Sequence, residues 1–307
     1  MLNYLLTRLV SAFIVVIGVS TIVFLLIHIV PGDPVEVMLG EVAGPADREA
    51  LRISLGLDLP LWQQWTAYLY QLSHLDLGIS LHSRRPIVAI LAERLPATVL
   101  LAGASLVVTV IIAFPLGILA AIRRNTGWDT GAMIFSMLGV SIPNFWLGPL
   151  LILVFSLWLG WLPVSGYSGV ASLVLPALTL GTALAALLSR MIRASLLEVL
   201  GEDYIRAARA RGLSPLQVIG RHGLVNAALP ILTVLGMQLG ALLGGAVITE
   251  TIFSWPGIGL LTIEAIQQRD YPVVQACVLI ISLAYVLINL VTDLLYAGFD
   301  PRVRLGR

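Results

Sequence analysis

Long apolar runs separated by short polar breaks dominate this chain. A helix needs about 20 apolar residues to cross the hydrocarbon core of a bilayer. Runs of that order occur six times along the sequence: Leu9–Val30, Leu95–Ile122, 131–158, 171–192, and within Gly223–Thr249 and Tyr271–Thr292. The pattern therefore predicts six membrane-spanning helices, the first of which is a retained span rather than a cleaved signal peptide.

The third and fourth runs come from one uncharged stretch, Thr130 to Ser189, which is too long for a single helix. Gly, Pro and Ser residues at 159–169 mark a turn within it. Pro143 lies in the middle of the third run, where it frees a backbone carbonyl and predicts a kink. The next residue, Asn144, either lines a path through the protein or bonds that carbonyl.

The positive charges give the orientation. All 18 basic residues are arginines, and twelve of them fall on the side that holds the N-terminus. These twelve are Arg8, Arg123, Arg124, the six between Arg190 and Arg221, Arg302, Arg304 and Arg307. Because cytoplasmic loops carry an excess of Lys and Arg, both termini are predicted to be cytoplasmic.

Composition supports a membrane protein and excludes one enzyme class. Hydrophobic residues make up 58% of the chain and charged residues 11%, whereas soluble domains carry about 25% charged residues.

The single cysteine, Cys277, excludes an intrachain disulfide. A phosphate-binding P-loop needs a lysine, and the chain has none, so it does not hydrolyse ATP itself.

The one long polar segment, 31–94, lies on the outer side. Its pattern predicts helices over Ala46–Leu55 and Leu61–Ser73, which would form a small helical cap rather than an independent domain. His74, Asp76 and His82 lie close together in sequence, but their spacing does not favour a shared helix face and further ligands are lacking. We predict no metal site on this chain.

The six arginines between Arg190 and Arg221 lie on a cytoplasmic segment with a distinct local pattern. Good helix formers predict one helix over Ser195–Arg211, which Gly212 would end in the left-handed conformation. Ser214, Pro215 and Gln217 then match the cap, first and third positions of a new helix. This pattern fits either a solvated loop or a docking element for a soluble partner.

The order Arg206-Ala207-Ala208, three residues and Gly212 resembles the Glu-Ala-Ala-x-x-x-Gly coupling motif of ABC importer permeases. In that family the motif forms a short cytoplasmic helix that sits in a cleft of the ATPase subunit. Arg206 replaces the glutamate of the motif, and the downstream Leu-Pro pair is displaced to Leu229-Pro230. The role of Arg206 is therefore open.

Further motifs resemble the dipeptide/oligopeptide/nickel permease family and cover nearly the whole chain in order. They are Gly32-Asp33-Pro34, Leu55–Pro60, Asp76–Ser80, Leu95–Thr98, Ser141–Trp146, Glu250–Gly259, Arg269–Pro272 and Asp300-Pro301-Arg302. The resemblance implies an all-α polytopic protein of the bacterial inner membrane, with the type I ABC importer permease fold. It divides the chain into 1–30, an extracytoplasmic segment 31–94, and a core permease domain 95–307 containing a coupling segment, 193–226.

The same resemblance implies the partners and the site residues. The partners would be a second homologous permease forming a heterodimer, two ATPase subunits that bind ATP and Mg, an extracytoplasmic substrate-binding protein and the lipid bilayer, with no nucleic acid. This chain would hold no cofactor and no catalytic residue. The ATPase-coupling residues would be Arg206, Ala207, Ala208, Arg209, Ala210, Arg211, Gly212, Ser214 and Pro215.

Four residues are candidates for the translocation path or gate: Asn144, Gln238, Glu250 and Trp255. The turn Glu250–Gly259 fits two interpretations that can both hold. It is either a tight outer turn with an aromatic anchor at the interface, or part of the outer gate and the surface that meets the binding protein.

Di- or oligopeptide import is the first functional hypothesis, driven by ATPase closure that moves the helices around Ala207–Gly212. Nickel, a nickel chelate and glutathione are alternative cargoes for the same mechanism. A stand-alone secondary transporter is the alternative from another class. Such transporters commonly show internal repeats and ionisable groups at the midplane, whereas here no repeat is visible and the charges cluster near the membrane faces.

Overall fold

The computed structural model describes residues 2–29, 44–54 and 57–299. These pack as two compact units. Among the described residues, one unit contains 2–4, 99–255 and 287–299, and the other contains 5–29, 44–54, 57–98 and 256–286. The motifs Gly32-Asp33-Pro34 and Asp300-Pro301-Arg302, part of Leu55–Pro60, and the arginines Arg302, Arg304 and Arg307 lie outside the described residues.

Helices account for nearly all the regular structure of the described chain. In order they are α1 (Leu2–Ile29), α2 (Pro45–Ser54), α3 (Leu61–Ser73), α4 (Ile87–Ile122), α5 (Gly127–Ser141), α6 (Asn144–Leu151), α7 (Val170–Leu200), α8 (Asp203–Ala210), α9 (Pro215–Gln217), α10 (Val225–Ile252), α11 (Ile258–Gln267) and α12 (Tyr271–Phe299). Two π-helical segments, Ile152–Trp158 and Val218–Leu224, continue α6 and α9.

Five helices are long and apolar enough to cross a membrane, and a sixth span results if the bent pair Gly127–Ser141 and Asn144–Trp158 counts as one. With the bent pair counted as one span, the number agrees with the six predicted. The second span begins earlier than predicted, at Ile87 rather than Leu95. Its first turns contain the charged Glu93, which pairs with Arg85, and Arg94, which lies 3.5 Å from Glu264.

The third span differs most from its prediction. Instead of one kinked helix over 131–158, α5 and the helix that starts at Asn144 meet at a bend of 105°. Pro143 is the N-cap of the second helix rather than a residue within a continuous one. The Ile142 amide still donates to the Leu138 carbonyl at 2.9 Å, but proline cannot donate a backbone hydrogen bond, so the ladder is interrupted at Pro143.

Close glycine contacts hold the long helices of the first unit together. A Cβ atom on Gly181 of α7 would lie 2.6 Å from Val108 Cγ1 and 2.8 Å from the Ser105 carbonyl of α4. A Cβ atom on Gly117 would lie 2.7 Å from Ile192 Cβ. Small residues let helix backbones approach closely in membranes, where packing rather than water exclusion drives association.

Hydroxyl groups add hydrogen bonds between the same helices. Thr109 Oγ1 of α4 donates to the carbonyls of Ser105 at 2.8 Å and of Gly181 at 3.1 Å. Ser136 Oγ of α5 donates to the Ala186 carbonyl of α7 at 2.6 Å. These bonds satisfy hydroxyls that would be costly to bury alone in an apolar bundle.

The second unit has its own apolar core and, at its outer end, a buried carboxylate that binds a loop through hydrogen bonds. Buried residues of α4, α11 and α12, including Cys277, form the core. The Asp270 carboxylate, 2% exposed, accepts hydrogen bonds from Ser80 Oγ at 2.5 Å and from the amides of Leu81 and His82. This carboxylate therefore fixes the loop that leads into α4.

The helices predicted in the outer segment are present. Helix α2 runs from Pro45 to Ser54, within a residue of the predicted bounds, and α3 has the predicted bounds. Trp65 Nε1 of α3 donates to Thr21 Oγ1 of α1 at 3.1 Å. The ring of Tyr68 lies 5.8 Å from that of Phe24, so α3 packs against α1.

Candidate functional site

The predicted coupling segment folds as two short helical pieces below the end of α7. The prediction of one helix over Ser195–Arg211 is wrong, because α7 ends at Leu200 and α8 begins at Asp203. Gly201 closes α7, and its amide donates to the Glu198 carbonyl at 3.1 Å. Glu202 adopts an extended conformation as the N-cap of α8, with Asp203 in the first turn, where a negative charge favours the helix dipole.

Gly212 makes the turn that was predicted for it. Its φ is +79°, in the left-handed region that side chains with a Cβ disfavour. Its amide donates to the Arg209 carbonyl at 2.9 Å, and the Leu213 amide reaches the Ala208 carbonyl at 3.4 Å. The last turn of α8 is closed in this way, as at many helix C-termini.

The predicted start of the next helix is also present. Ser214 Oγ accepts the Gln217 amide at 3.4 Å, and Gln217 Oε1 accepts the Ser214 amide at 3.0 Å. Pro215 occupies the first helical position, where its missing amide proton costs nothing. The π-helical segment Val218–Leu224, which the sequence analysis missed, then joins this turn to α10.

Three buried side chains attach α8 to the rest of its unit. Ile205 and Ala208 lie on one face of α8 and pack with Val218, and all three are at most 1% exposed. Partly buried Val199, Leu200 and Leu213 surround this cluster. The candidate residue Ala208 therefore packs inside the chain rather than on its surface.

The opposite face of the segment is open and basic. The other eight candidate residues are exposed: Arg206, Ala207, Arg209, Ala210, Arg211, Gly212, Ser214 and Pro215. Arg206 Nη1 lies 3.2 Å from Asp203 Oδ1, with side chains 75% and 95% exposed. An ion pair this exposed contributes little to stability, so Arg206 can exchange Asp203 for another acidic group.

Tyr204 lies at the edge of this face. Partial burial, together with the charge of Glu202, raises the pKa of its phenol above the ordinary value. The side chain is therefore a neutral hydroxyl, able to donate and accept one hydrogen bond, at any physiological pH.

An ion pair ties the base of α7 to α5. Arg193 Nε donates to Asp129 Oδ1 at 2.5 Å, and its Nη2 donates to Oδ2 at 2.8 Å. The Asn125 amide also donates to Asp129 Oδ2 at 3.0 Å. Asp129 is 5% exposed. A bidentate guanidinium–carboxylate pair has fixed geometry, so it orients the end of α7 that leads into the coupling segment.

Of the candidate gate residues, Glu250 and Trp255 are both fully buried. The Trp255 ring meets the Tyr167 ring edge-on at 4.9 Å and 88°. The Gly166 amide donates to the Phe253 carbonyl at 2.8 Å. A ring enclosed in this way is not exposed at a membrane interface, so the expected aromatic anchor is an internal one.

The other two path candidates, Asn144 and Gln238, differ in burial and in hydrogen bonding. Asn144 is half-buried in the first turn of α6, and the Pro143 carbonyl accepts the amides of Trp146 and Leu147. Gln238 of α10 is 6% exposed, and its Nε2 donates to the Leu184 carbonyl of α7 at 2.8 Å. Its Oε1 is buried and has no hydrogen-bond partner among the described residues.

Metal chemistry finds no support in the described part of the chain. No group of three or more His, Cys, Asp and Glu side chains there is arranged to hold a metal ion. His74 Nδ1 contacts the Tyr70 carbonyl at 2.9 Å, and Asp76 accepts the Gly78 amide at 2.9 Å. These side chains therefore take part in local turn contacts.

Comparison with known proteins covers nearly the whole chain. Residues 113–305 match the family described as binding-protein-dependent transport system inner membrane component, and residues 1–102 match the N-terminal family of the same membrane components. The glutathione transport system permease protein GsiC of Escherichia coli (strain K12) is 45% identical over 304 residues, 99% of each chain. The protein of the same name from Shigella flexneri serotype 5b (strain 8401) is 44% identical over the same length.

Among solved structures, the chain is similar to an inward-facing conformation of the MetNI methionine ABC transporter. The TM-score is 0.57 at 21% identity, covering 69% of this chain and 96% of the other. At this identity the likeness concerns the fold alone, which is that of a type I ABC permease.

Proposed function

The chain belongs to the family of binding-protein-dependent transport system inner membrane components, and on that premise we propose that it carries small peptides, glutathione included, into the cell. It is the permease subunit of an ABC importer and a multi-pass protein of the inner membrane. The family is one of transport permeases rather than enzymes.

The geometry of the coupling segment carries the proposal that an ATPase subunit drives this chain. A short helix, α8, is held to the permease by Ile205 and Ala208, and its opposite, basic face is exposed. The distribution of arginines predicts that this face lies on the cytoplasmic side. Coupling requires a firm contact that transmits displacement in both directions. A buried apolar attachment beside the Gly212 turn supplies this firmness, while exposed arginines supply the partner contact.

Transport would then follow from closure of two ATPase subunits around ATP. Their approach would bring the coupling segments of this chain and of a second, homologous permease together. The rigid helices above would rock and switch the pathway between its inward- and outward-facing states. An extracytoplasmic binding protein would deliver the cargo, and ATP with Mg would be bound by the partner subunits.

The named relatives support a peptide-like cargo. Proteins 45% identical over 99% of the chain are glutathione transport system permeases. Glutathione is a tripeptide, so it falls within the peptide class that the sequence motifs indicate. The buried, unpartnered Oε1 of Gln238 is an acceptor that suits the amide donors of such a cargo if the helices separate during transport.

The test is uptake by cells with and without this gene. Labelled glutathione, a labelled dipeptide and labelled nickel are offered separately at low concentration. We expect uptake of glutathione, of the dipeptide or of both to fall at least tenfold, with nickel uptake unchanged. Loss of nickel uptake alone would contradict the peptide proposal.

A second measurement tests the ATPase contact separately from the cargo. The tagged chain is purified from membranes under mild detergent, and ATPase subunits should co-purify at one copy per permease. If the chain transports peptide without any ATPase subunit, the stand-alone secondary transporter is the correct description.

A further inference from the structure

A cavity of about 530 Å³ lies in the first unit, between the ends of α4 and α7 and the coupling segment. Most of its wall is apolar: Ile122 of α4, Leu197 and Leu200 of α7, and Val218 and Ile219 of the π-helical segment. The arginine distribution puts these helix ends at the cytoplasmic surface of the membrane. The cavity is therefore at the depth of the inner leaflet rather than within a water-soluble region.

Two arginines complete the lining, Arg124 at the end of α4 and Arg209 on α8. Within the described chain, neither forms an ion pair with a carboxylate. Asp129, which is also close enough to interact with the charge of Arg124, pairs with Arg193, and Asp203 pairs with Arg206. Two further carboxylates, those of Glu198 near the end of α7 and Glu202 just before α8, are exposed, and neither residue lines the cavity. The lining thus joins an apolar surface to an excess of positive charge.

We propose that this cavity binds an anionic phospholipid from the cytoplasmic leaflet. Arg124 and Arg209 contact its phosphate, and an acyl chain lies along Ile122, Leu197 and Ile219. The bilayer supplies one molecule that combines a long apolar chain with a phosphate, and basic pockets between helices at the cytoplasmic side suit such headgroups. A free phosphate would leave the apolar wall in water.

This site would act on coupling through packing. Val218 belongs both to the cavity wall and to the cluster with Ile205 and Ala208 that holds α8. A lipid in the cavity supports that cluster from the side on which Arg209 lies, whereas Arg206 and Arg211 do not line the cavity. The inference goes beyond the transport function and does not depend on the identity of the cargo.

Photo-crosslinking in native membranes tests the proposal on the complete transporter. A benzophenone-bearing amino acid replaces Ile219 in the cavity wall, and in a separate chain it replaces Trp158, which is 73% exposed at the outer end of its span. After illumination, the adducts are identified by mass spectrometry. We expect position 219 to capture anionic phospholipid well above its share of the membrane, and position 158 to capture lipids in bulk proportion.

Adjacent arginines provide a matched control for the headgroup contact. Arg124→Gln should lower the anionic enrichment at position 219 by about fivefold, the effect of one arginine at an anionic surface. Arg123→Gln removes the same charge, but its guanidinium lies 5.8 Å from the centre of the Trp128 ring and does not line the cavity. That variant should keep the enrichment.

Three results would overturn the proposal. They are capture of an ATPase peptide at position 219, capture of lipids there in bulk proportion, and absence of any adduct when position 158 reacts normally. Equal loss of enrichment in the Arg123 and Arg124 variants would also overturn it, because a general surface charge would then explain the lipid preference. Adduct yield in each variant reports whether the chain is present and folded.

Discussion

Two turns of the first unit reverse the direction of the chain, but they bury different kinds of side chain. At the coupling segment, small apolar anchors such as Ala208 are buried and arginines remain exposed. At the turn after α10, the largest side chain, Trp255, is fully buried against Tyr167. Both turns use a left-handed residue, Gly212 with φ +79° in one and Ser254 with φ +48° in the other.

The difference predicts which turn meets another protein. The coupling segment keeps its charged groups in solvent and attaches through a minimal apolar contact, as a surface that receives a partner must. The Trp255 turn uses its aromatic group and its carbonyls internally, so its stability is independent of a partner. Substitutions should therefore affect function at the first turn and folding at the second.

The largest expected effect is loss of transport from Gly212→Val. A β-branched residue is strongly disfavoured at φ +79°, so the turn must distort and α8 will be misplaced against the ATPase. Peptide uptake should fall to background while the amount of protein in the membrane is unchanged. Both are measured in cells, by labelled uptake and by immunoblotting of membranes.

Two controls separate conformation from side-chain bulk. Gly212→Asn should retain part of the uptake, because asparagine enters the left-handed region at lower cost. Gly220→Val adds the same side chain at a negative φ with nothing within 4 Å of its Cβ, and should transport normally. Normal uptake by Gly212→Val would refute the docking role.

Next in size is Trp255→Ala, which should lower the free energy of unfolding by about 3–5 kcal/mol. Its ring is fully enclosed and meets Tyr167 edge-on, so the variant leaves a large cavity. Thermal unfolding of the purified transporter in detergent measures the loss. Trp158→Ala, at a side chain that is 73% exposed, should change stability by less than about 0.5 kcal/mol.

A smaller effect is expected in the helix that leads into the coupling segment. Gly181→Ala would put a methyl group 2.6 Å from Val108 Cγ1 and 2.8 Å from a backbone carbonyl. Separating α4 from α7 should cost about 1–3 kcal/mol, measured by the same thermal unfolding. Gly103→Ala on α4 meets nothing within 4 Å and should be stabilising by up to about 1 kcal/mol.

The smallest effect is expected at the helix cap. Ser214→Ala removes the hydroxyl that accepts the Gln217 amide, which should cost about 1 kcal/mol locally. Amide exchange of residues 216–218, followed by mass spectrometry, should become roughly five times faster. Leu216→Ala, at a side chain 83% exposed, should leave exchange unchanged, and equal acceleration in both would count against the cap.

Local sequence signals predicted local structure well. The bounds of α3, the left-handed Gly212 and the reciprocal bonds of Ser214 and Gln217 were all predictable, because each depends on residues within one turn. The break at Gly201 was missed although it had a signal. Gly201 is followed by Glu202 and Asp203, a helix stop and then acidic residues for a new helix start.

Features that depend on distant residues could not be predicted. The bend of 105° at Pro143 exceeds what a proline alone requires, so packing against α7 and α10 determines it. Burial of Trp255 depends on Tyr167, which is 88 positions away in the sequence. The start of α4 at Ile87 brings its charged first turns near Arg85 and Glu264. Whether the coupling residues touch an ATPase remains a prediction.

The exposed face of the coupling segment has a consequence for the conditions under which it works. Its three positive groups, Arg206, Arg209 and Arg211, are guanidinium groups, which stay charged at every pH a bacterium experiences. Acidification of the cytoplasm would leave their charge unchanged. Ionic strength, by contrast, shortens the range of exposed charges, to about 8 Å at physiological salt. If an acidic partner surface docks here as proposed, osmotic stress that concentrates cytoplasmic ions is expected to weaken the docking.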